Sequence, residues 1–272
     1  MKILTVKDLS FENEGYFAFK HVTFSLSQNE SIEISGDSGT GKSALLETIV
    51  GLNTPDSGTA KYSSGARISF MPQIETQHVD IPVGEYLETS RQLAGKLAVD
   101  SDQLNDLSAY MGMRPYIDRK VSSLSLGLKQ RVSFLQAVAT RPSVLILDDP
   151  FSFQNSFYAH NMVDIFKDLQ DHGSGIIVTT SKRDPINDDY FDSRYVMEAK
   201  SLEALRKNHD WYLLSFKATT DSMAITKELA GYMANSFGNI IELKVPVVQK
   251  ESVIRTMLEM NYLFEGMMNL EV

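Results

Sequence analysis

Gly36-Asp37-Ser38-Gly39-Thr40-Gly41-Lys42-Ser43 reads G-x-x-x-x-G-K-[ST], the pattern of a phosphate-binding loop. Before it stands Ile32-Glu33-Ile34, a strand-like run. After it comes Ala44-Leu45-Leu46-Glu47-Thr48-Ile49-Val50, apolar at helical spacing and closed by Gly51. Strand, glycine-rich turn and helix in that order are the context that gives the motif its meaning. Glycines let the backbone curl so that successive N–H groups point at phosphate oxygens. The start of the following helix adds partial positive charge. Lys42 is placed to reach β- and γ-phosphates, and the Ser43 hydroxyl to reach Mg²⁺.

The next informative stretch outward is Val144-Leu145-Ile146-Leu147-Asp148-Asp149. Its apolar part predicts a strand covered on both faces, as in a parallel sheet. Ligands in open α/β sheets bind at the carboxyl ends of strands, where Asp148 and Asp149 fall. Asp148 is the candidate Mg²⁺ ligand, acting mostly through water. Ile176-Ile177-Val178 reads as a second strand of this kind, and Ile68-Ser69-Phe70-Met71 as another, stopped by Pro72. Residues 84–120 are helical text. Leu128, Val132, Leu135 and Val138 predict an amphipathic helix. Strands alternating with helices imply βαβ units and a mainly parallel sheet.

Between these elements lies Leu124-Ser125-Leu126-Gly127-Leu128-Lys129-Gln130-Arg131, where Ser125 is placed to cap a helix. The ordered set of phosphate loop, Gln73, this segment and the Asp148 strand resembles the ATP-binding-cassette (ABC) ATPases over residues 1–200. The resemblance implies an α/β fold: a P-loop NTPase core with a mainly parallel sheet, antiparallel N-terminal strands and a helical subdomain at about 74–135. It implies ATP and Mg²⁺ as ligands, with Gly36 to Ala44 holding the nucleotide and Ser43, Gln73 and Asp148 the metal. In that family Leu124–Leu128 matches the signature segment, whose Ser125 and Gly127 contact the nucleotide of an opposite subunit. Gln73 is similar to the glutamine that touches Mg²⁺ and the attacking water.

The departures from the family fall on hydrolysis more than on binding. Asp149 stands where the family has the glutamate that polarises water, so Asp149 and Gln73 are the catalytic candidates. An Asp carboxylate lies about 1.5 Å nearer its backbone, one C–C bond, and about 1 Å of misplacement can cost on the order of a hundredfold. The family's switch histidine is replaced by Thr180 or Ser181. Its D-loop reads Ser152-Phe153-Gln154-Asn155, and Ala44 replaces a threonine after the loop serine. Strict alignment puts Asn13 at the adenine-stacking position, with Tyr16 the nearest aromatic substitute.

After about residue 200 the text changes. Trp211–Phe216, Ile240–Val245 and Met267–Val272 read as strands, and residues 221–236 and 249–260 as helices. This predicts a small α+β appendage over 201–272. It resembles, more weakly, the C-terminal domain of drug-exporter ATPases; a ferredoxin-like regulatory domain would give similar spacing.

Composition bounds the rest. Lys plus Arg is 26 against 35 for Asp plus Glu, a formal charge of −9, and no basic cluster is present. Such a chain has no global field for nucleic acid or anionic lipid. It has no cysteine, which excludes disulfides and thiolate metal sites. Apolar runs are far shorter than the roughly 20 residues of a membrane span, and the start of the chain lacks a signal peptide's apolar block. The expectation is a cytoplasmic protein, peripheral at the inner face of the membrane. Its partners would be an integral membrane permease and a second ABC subunit, identical or different. The activity expected is transport-coupled ATP hydrolysis at a slow rate, with export favoured by the appendage. An ATP-gated clamp, or the degenerate half of a heterodimer, is the alternative.

Overall fold

The computed structural model describes residues 1–73, 79–181, 190–205, 211–246 and 249–270. The chain divides into two compact units, residues 1–205 and 206–272.

The first unit is built on a six-stranded sheet of order β5-β6-β7-β3-β8-β9. Its strands are β3 (Ser31–Ser35), β5 (Ile68–Met71), β6 (Val144–Leu147), β7 (Gly175–Thr180), β8 (Ser193–Glu198) and β9 (Ser201–Leu205). All pairs are parallel except β8 with β9. Beside it lies an antiparallel sheet of order β2-β1-β4, formed by β1 (Lys2–Asn13), β2 (Tyr16–Ser27) and β4 (Ser57–Tyr62).

The apolar run at β6 is explained by a core on each side. Val144 and Ile146 join Ile32, Ile34, Leu45, Leu46 and Phe19 in one cluster, shared with the antiparallel sheet and α1 (Lys42–Ile49). Leu145 and Leu147 face the other way, onto Phe134 of α4 (Leu126–Ala139) and Phe166 of α5 (Ser156–Asp171). Successive strand residues point to opposite faces, so a strand covered twice has no polar position. Each fully buried Leu, Ile or Phe contributes roughly 1.5–3 kcal/mol against exposure.

The helical part contains α2 (Val83–Ala94) and α3 (Ser101–Tyr110), packed with α4. The start of α3 is fixed by a capping box: Asp100 accepts from the Gln103 amide, and Gln103 reaches back to the Asp100 amide. The first five residues of the expected subdomain, 74–78, lie outside the described residues, and α4 runs on to Ala139.

The second unit is a four-stranded antiparallel sheet of order β11-β12-β10-β13: β10 (Trp211–Ala218), β11 (Met233–Phe237), β12 (Ile240–Pro246) and β13 (Tyr262–Leu270). With α6 (Lys227–Ala230) and α7 (Lys250–Glu259) the connectivity is β-α-β-β-α-β, a split βαβ. Leu214, Phe216, Leu243 and Val245 pack against Val253 and Met257 in a core of their own.

Two expectations are corrected. The helix expected over 221–236 is only the single turn α6, and β11 occupies the rest. All five β11 residues are exposed, so no apolar alternation marks the strand. Its hairpin with β12 closes at Phe237↔Ile240 through Gly238-Asn239, with Gly238 at φ 61°. The boundary at 200 also moves to 205. Ala199 and Lys200, at φ 47° and 69°, form a two-residue turn without glycine that folds β9 back onto β8.

Candidate functional site

The phosphate loop leaves the carboxyl end of β3 and enters α1. Two of its glycines are required by space. A Cβ on Gly36 would lie 2.7 Å from the Met197 carbonyl oxygen. Gly41, the N-cap of α1 at φ 101°, would put a Cβ 2.4 Å from the Ala18 carbonyl oxygen. The loop is thus pressed against β8 and β2. Lys42 Nζ donates to the carbonyl oxygens of Gly36 at 2.7 Å and Asp37 at 2.9 Å, so the ammonium lies along the loop. Thr40 Oγ1 donates to the Asp37 carbonyl at 2.9 Å.

A cleft of about 290 Å³ opens beside the loop. It is lined by Ser38, Gly39, Gly41, Lys42, Ser43 and Ala44, and by Gln73, Asp148, Asp149 and Ser181. Gln73 comes from the segment after β5, the two aspartates from the end of β6, and Ser181 from the end of β7. Of the two candidates for the switch position, Ser181 is in the cleft. Thr180 is buried and donates to Glu33 Oε1 at 2.7 Å.

Asp148 is buried, and its Oδ1 accepts a hydrogen bond from Thr179 Oγ1 at 2.6 Å. Asp149 sits at φ 52°, a left-handed conformation that Asp tolerates better than most residues. Its N–H donates to Thr179 Oγ1 at 2.9 Å, and its carbonyl accepts from Gln130 Nε2 at 2.7 Å. Ser152 Oγ donates to Asp149 Oδ2 at 2.5 Å, while among the described residues the buried Oδ1 has no hydrogen-bond partner. Burial pushes the Asp149 carboxyl above the ordinary carboxylate range. The Ser152 hydrogen bond opposes this, the neighbouring Asp148 charge adds to it, and Lys42 opposes it.

The hydroxyl of Ser43 and the carboxylate of Asp148 are hard oxygen donors of the kind Mg²⁺ takes. Among the described residues no cluster of three or more His, Asp or Glu side chains is placed to hold a metal by itself. A buried Asp149 Oδ1 without a hydrogen-bond partner among the described residues, in one cleft with Lys42, Ser43 and Asp148, fits a nucleotide with its metal and water.

The signature residues are elsewhere. Ser125 caps α4 and accepts from the Leu128 amide at 3.4 Å. Gln154 Nε2 donates to the Gly127 carbonyl at 3.0 Å, joining that helix start to the turn after β6. Neither Ser125 nor Gly127 is among the described residues lining the cleft. Tyr16 opens β2 after the Glu14-Gly15 turn and is 76% exposed, beside Asn13 in register. Two residues on, Ala18 meets Gly41, so this hairpin end borders the phosphate loop.

Thr179, Gln130 and Ser152 take part in the site although their positions in the sequence did not single them out. The local signals were the polar Thr179-Thr180 pair closing an apolar strand and the position of Ser152 three residues after Asp149.

Residues 19–152 match the family model described as ABC transporter. That segment is an ABC transporter domain. Proteins of that family bind and hydrolyse ATP. An uncharacterized ABC transporter ATP-binding protein of Haemophilus influenzae is 28% identical over 180 residues, 65% of this chain and 75% of the relative. A sulfate/thiosulfate import ATP-binding protein of Mesostigma viride is 27% identical over 256 residues, 87% of this chain and 73% of the relative. A zinc import ATP-binding protein of Anaplasma marginale is 28% identical over 180 residues, covering 65% and 72%. Among solved structures, an ATP-binding subunit of an ABC transporter superposes with a TM-score of 0.65 at 21% identity, over 75% of this chain and 90% of that one. These relatives with a named cargo are import proteins, and the expectation of export finds no support in them. Among the described residues no helix of the cassette or of the second unit is long and apolar enough to cross a membrane.

Proposed function

We propose that the chain is the ATP-binding subunit of an ABC importer, with slow ATP turnover. The observation that carries this reading is one cleft that gathers Lys42, Ser43, Gln73, Asp148 and Asp149 from three separated segments. In this reading the loop N–H groups and Lys42 hold the phosphates. Ser43, Gln73 and Asp148 hold Mg²⁺, which supplies charge neutralisation at the phosphates when bound. Gln73 and Asp149 orient the attacking water, and Tyr16 stacks on adenine. A second cassette presents its Ser125 and Gly127 to this cleft, and a membrane permease docks on the dimer at the cytoplasmic face. The import names of the relatives favour the inward direction.

Slow turnover follows from the shorter Asp149 side chain, whose carboxylate is tied to Ser152 in its own turn, and from Ser181 in place of an imidazole. The test is steady-state ATP hydrolysis by the wild type and Asp149→Glu, with size exclusion with and without MgATP. The wild type is expected well below about 1–10 s⁻¹, and the glutamate variant up to about a hundredfold faster, with MgATP-dependent dimers. Ordinary wild-type turnover would overturn the slow-motor reading, and failure to bind ATP would overturn the whole of it.

A second reading has one observation in its favour. Ser125 is exposed and retained while the chain's own base is replaced. That combination suits the attenuated half of a heterodimer, serving a more active partner's nucleotide. Ser125→Ala would then slow the co-purified pair more than Asp149→Asn.

A further inference from the structure

The Thr179 side chain is fully buried and bridges the two consecutive aspartates of the cleft. Its hydrogen-bond direction is fixed by chemistry. The Asp149 N–H can only donate, so it donates to Thr179 Oγ1 at 2.9 Å. The hydroxyl's own proton is then free for Asp148 Oδ1, an acceptor at 2.6 Å. One hydroxyl therefore sets the rotation of the Asp148 carboxylate and captures the amide that starts the turn carrying Asp149. The position of Thr179 is itself rigid. It is β-branched, with a restricted χ1, and its backbone is held by the parallel register Ile34↔Thr179 and, one residue earlier, Leu147↔Val178.

We propose that Thr179 is a positioning residue for the Mg²⁺ site: by occupying Asp148 Oδ1 it turns the remaining lone pairs of that carboxylate toward the metal's water. The proposal rests on the reading of Ser43 and Asp148 as metal-holding residues. Hydrogen bonds that orient a ligand in this way typically govern about 10–100-fold in metal affinity. Valine has the shape of threonine without the hydroxyl. It would leave Asp148 Oδ1 and the Asp149 N–H without the bond they share, while the apolar packing is kept.

The experiment is calorimetric titration of the full chain with ATP, once in EDTA and once in Mg²⁺, for wild type, Thr179→Val and Thr179→Ser. The quantity read is the ratio of the two dissociation constants, the gain that Mg²⁺ confers. T179V is expected to lower that ratio about tenfold or more, with affinity in EDTA within about twofold of wild type. T179S keeps the hydroxyl and is expected to keep the ratio. An unchanged ratio in T179V would overturn the proposal. So would equal losses in T179V and T179S, which would mean packing and not the hydroxyl. A T179V chain that fails to fold while T179S is normal would assign the hydroxyl to stability and also overturn it. A wild type that gains nothing from Mg²⁺ would sink the proposed metal site, and Thr179's role with it. A loss confined to T179V concerns Thr179 alone.

Discussion

Arg194 Nε donates to Glu33 Oε2 at 2.6 Å across the β3–β8 pair, inside the sheet that carries the cleft. The other oxygen, Oε1, accepts from Thr180, the last residue of β7 before Ser181. One carboxylate thus ties three neighbouring strands just below the phosphate loop. Removing one partner of such a pair leaves a charge in a site that water reaches poorly. Arg194→Met is expected to cost about 3 kcal/mol, or about 6–12 °C in Tm. The double variant Glu33→Leu/Arg194→Met is expected to recover much of that loss, because an apolar pair removes the stranded charge. Thermal unfolding of the three proteins checks this, and a single variant within about 2 °C of wild type would refute it.

Gly41 should tolerate no side chain. Its φ of 101° alone costs a non-glycine residue about 1–3 kcal/mol, and the Cβ would overlap the Ala18 carbonyl. Gly41→Ala is expected to abolish ATP binding. Gly65→Ala is the control, at φ 76° with open space around its Cβ. It carries the backbone strain without the clash and should bind ATP as wild type does. Calorimetry on both separates loop geometry from general strain.

Tyr16 and Asn13 are adjacent partners at the tip of the β1–β2 hairpin, and only one has a π face for adenine. Tyr16→Ala is expected to weaken ATP binding about two- to thirteenfold, from the loss of about 0.5–1.5 kcal/mol of stacking. Asn13→Ala should leave it unchanged. Equal effects of the two variants on affinity would remove Tyr16 from the site.

In α2, Glu88 accepts from Arg91 at 2.7 and 2.8 Å, from Gln92 at 2.8 Å, and from Ser101 at the start of α3 at 3.2 Å. These bonds, the Arg91 one foremost, hold the Glu88 carboxyl at about 2. A carboxyl lowered on folding stabilises the fold above its unfolded pKa, near 4.5, and loses that contribution as pH falls toward about 2. Arg91→Gln is expected to return the group toward its ordinary value, read directly by NMR titration. A Glu88 that titrates alike in both proteins would contradict the assignment.

How much was legible depended on how local each signal was. The strand at Val144–Leu147 announced itself because four consecutive apolar residues fit a doubly covered strand. β11 did not, because an exposed edge strand is held by its ladder to β12 and leaves no pattern in side chains. Gly238-Asn239 was the available hint. β9 was hidden because Ala199 and Lys200 make a turn that glycine usually makes. In the cleft, Lys42 and Ser43 were readable from spacing alone. Gln130 was not, since it reaches Asp149 only once the chain has folded back upon itself, and Ser152 was not, since its bond to Asp149 three residues earlier depends on the turn that the left-handed backbone of Asp149 makes.

The sequence by itself determined the phosphate loop, the acidic strand end and the order in which they occur, because these depend on contacts between residues a few positions apart. It also displayed an aspartate at 149 where the family has glutamate, and no histidine among residues 179–181, which are matters of residue identity. Only the tertiary structure decided which hydroxyl enters the cleft and which is buried. Thr179, Thr180 and Ser181 are consecutive, yet they bind the two aspartates, bind Glu33 and line the cleft, respectively. The reason is register. Parallel pairing of β7 with β3 and β6 fixes which way each side chain of a strand points and what stands opposite it. The β3 pairing joins segments more than a hundred residues apart, and the β6 pairing segments about thirty apart, which no local pattern specifies.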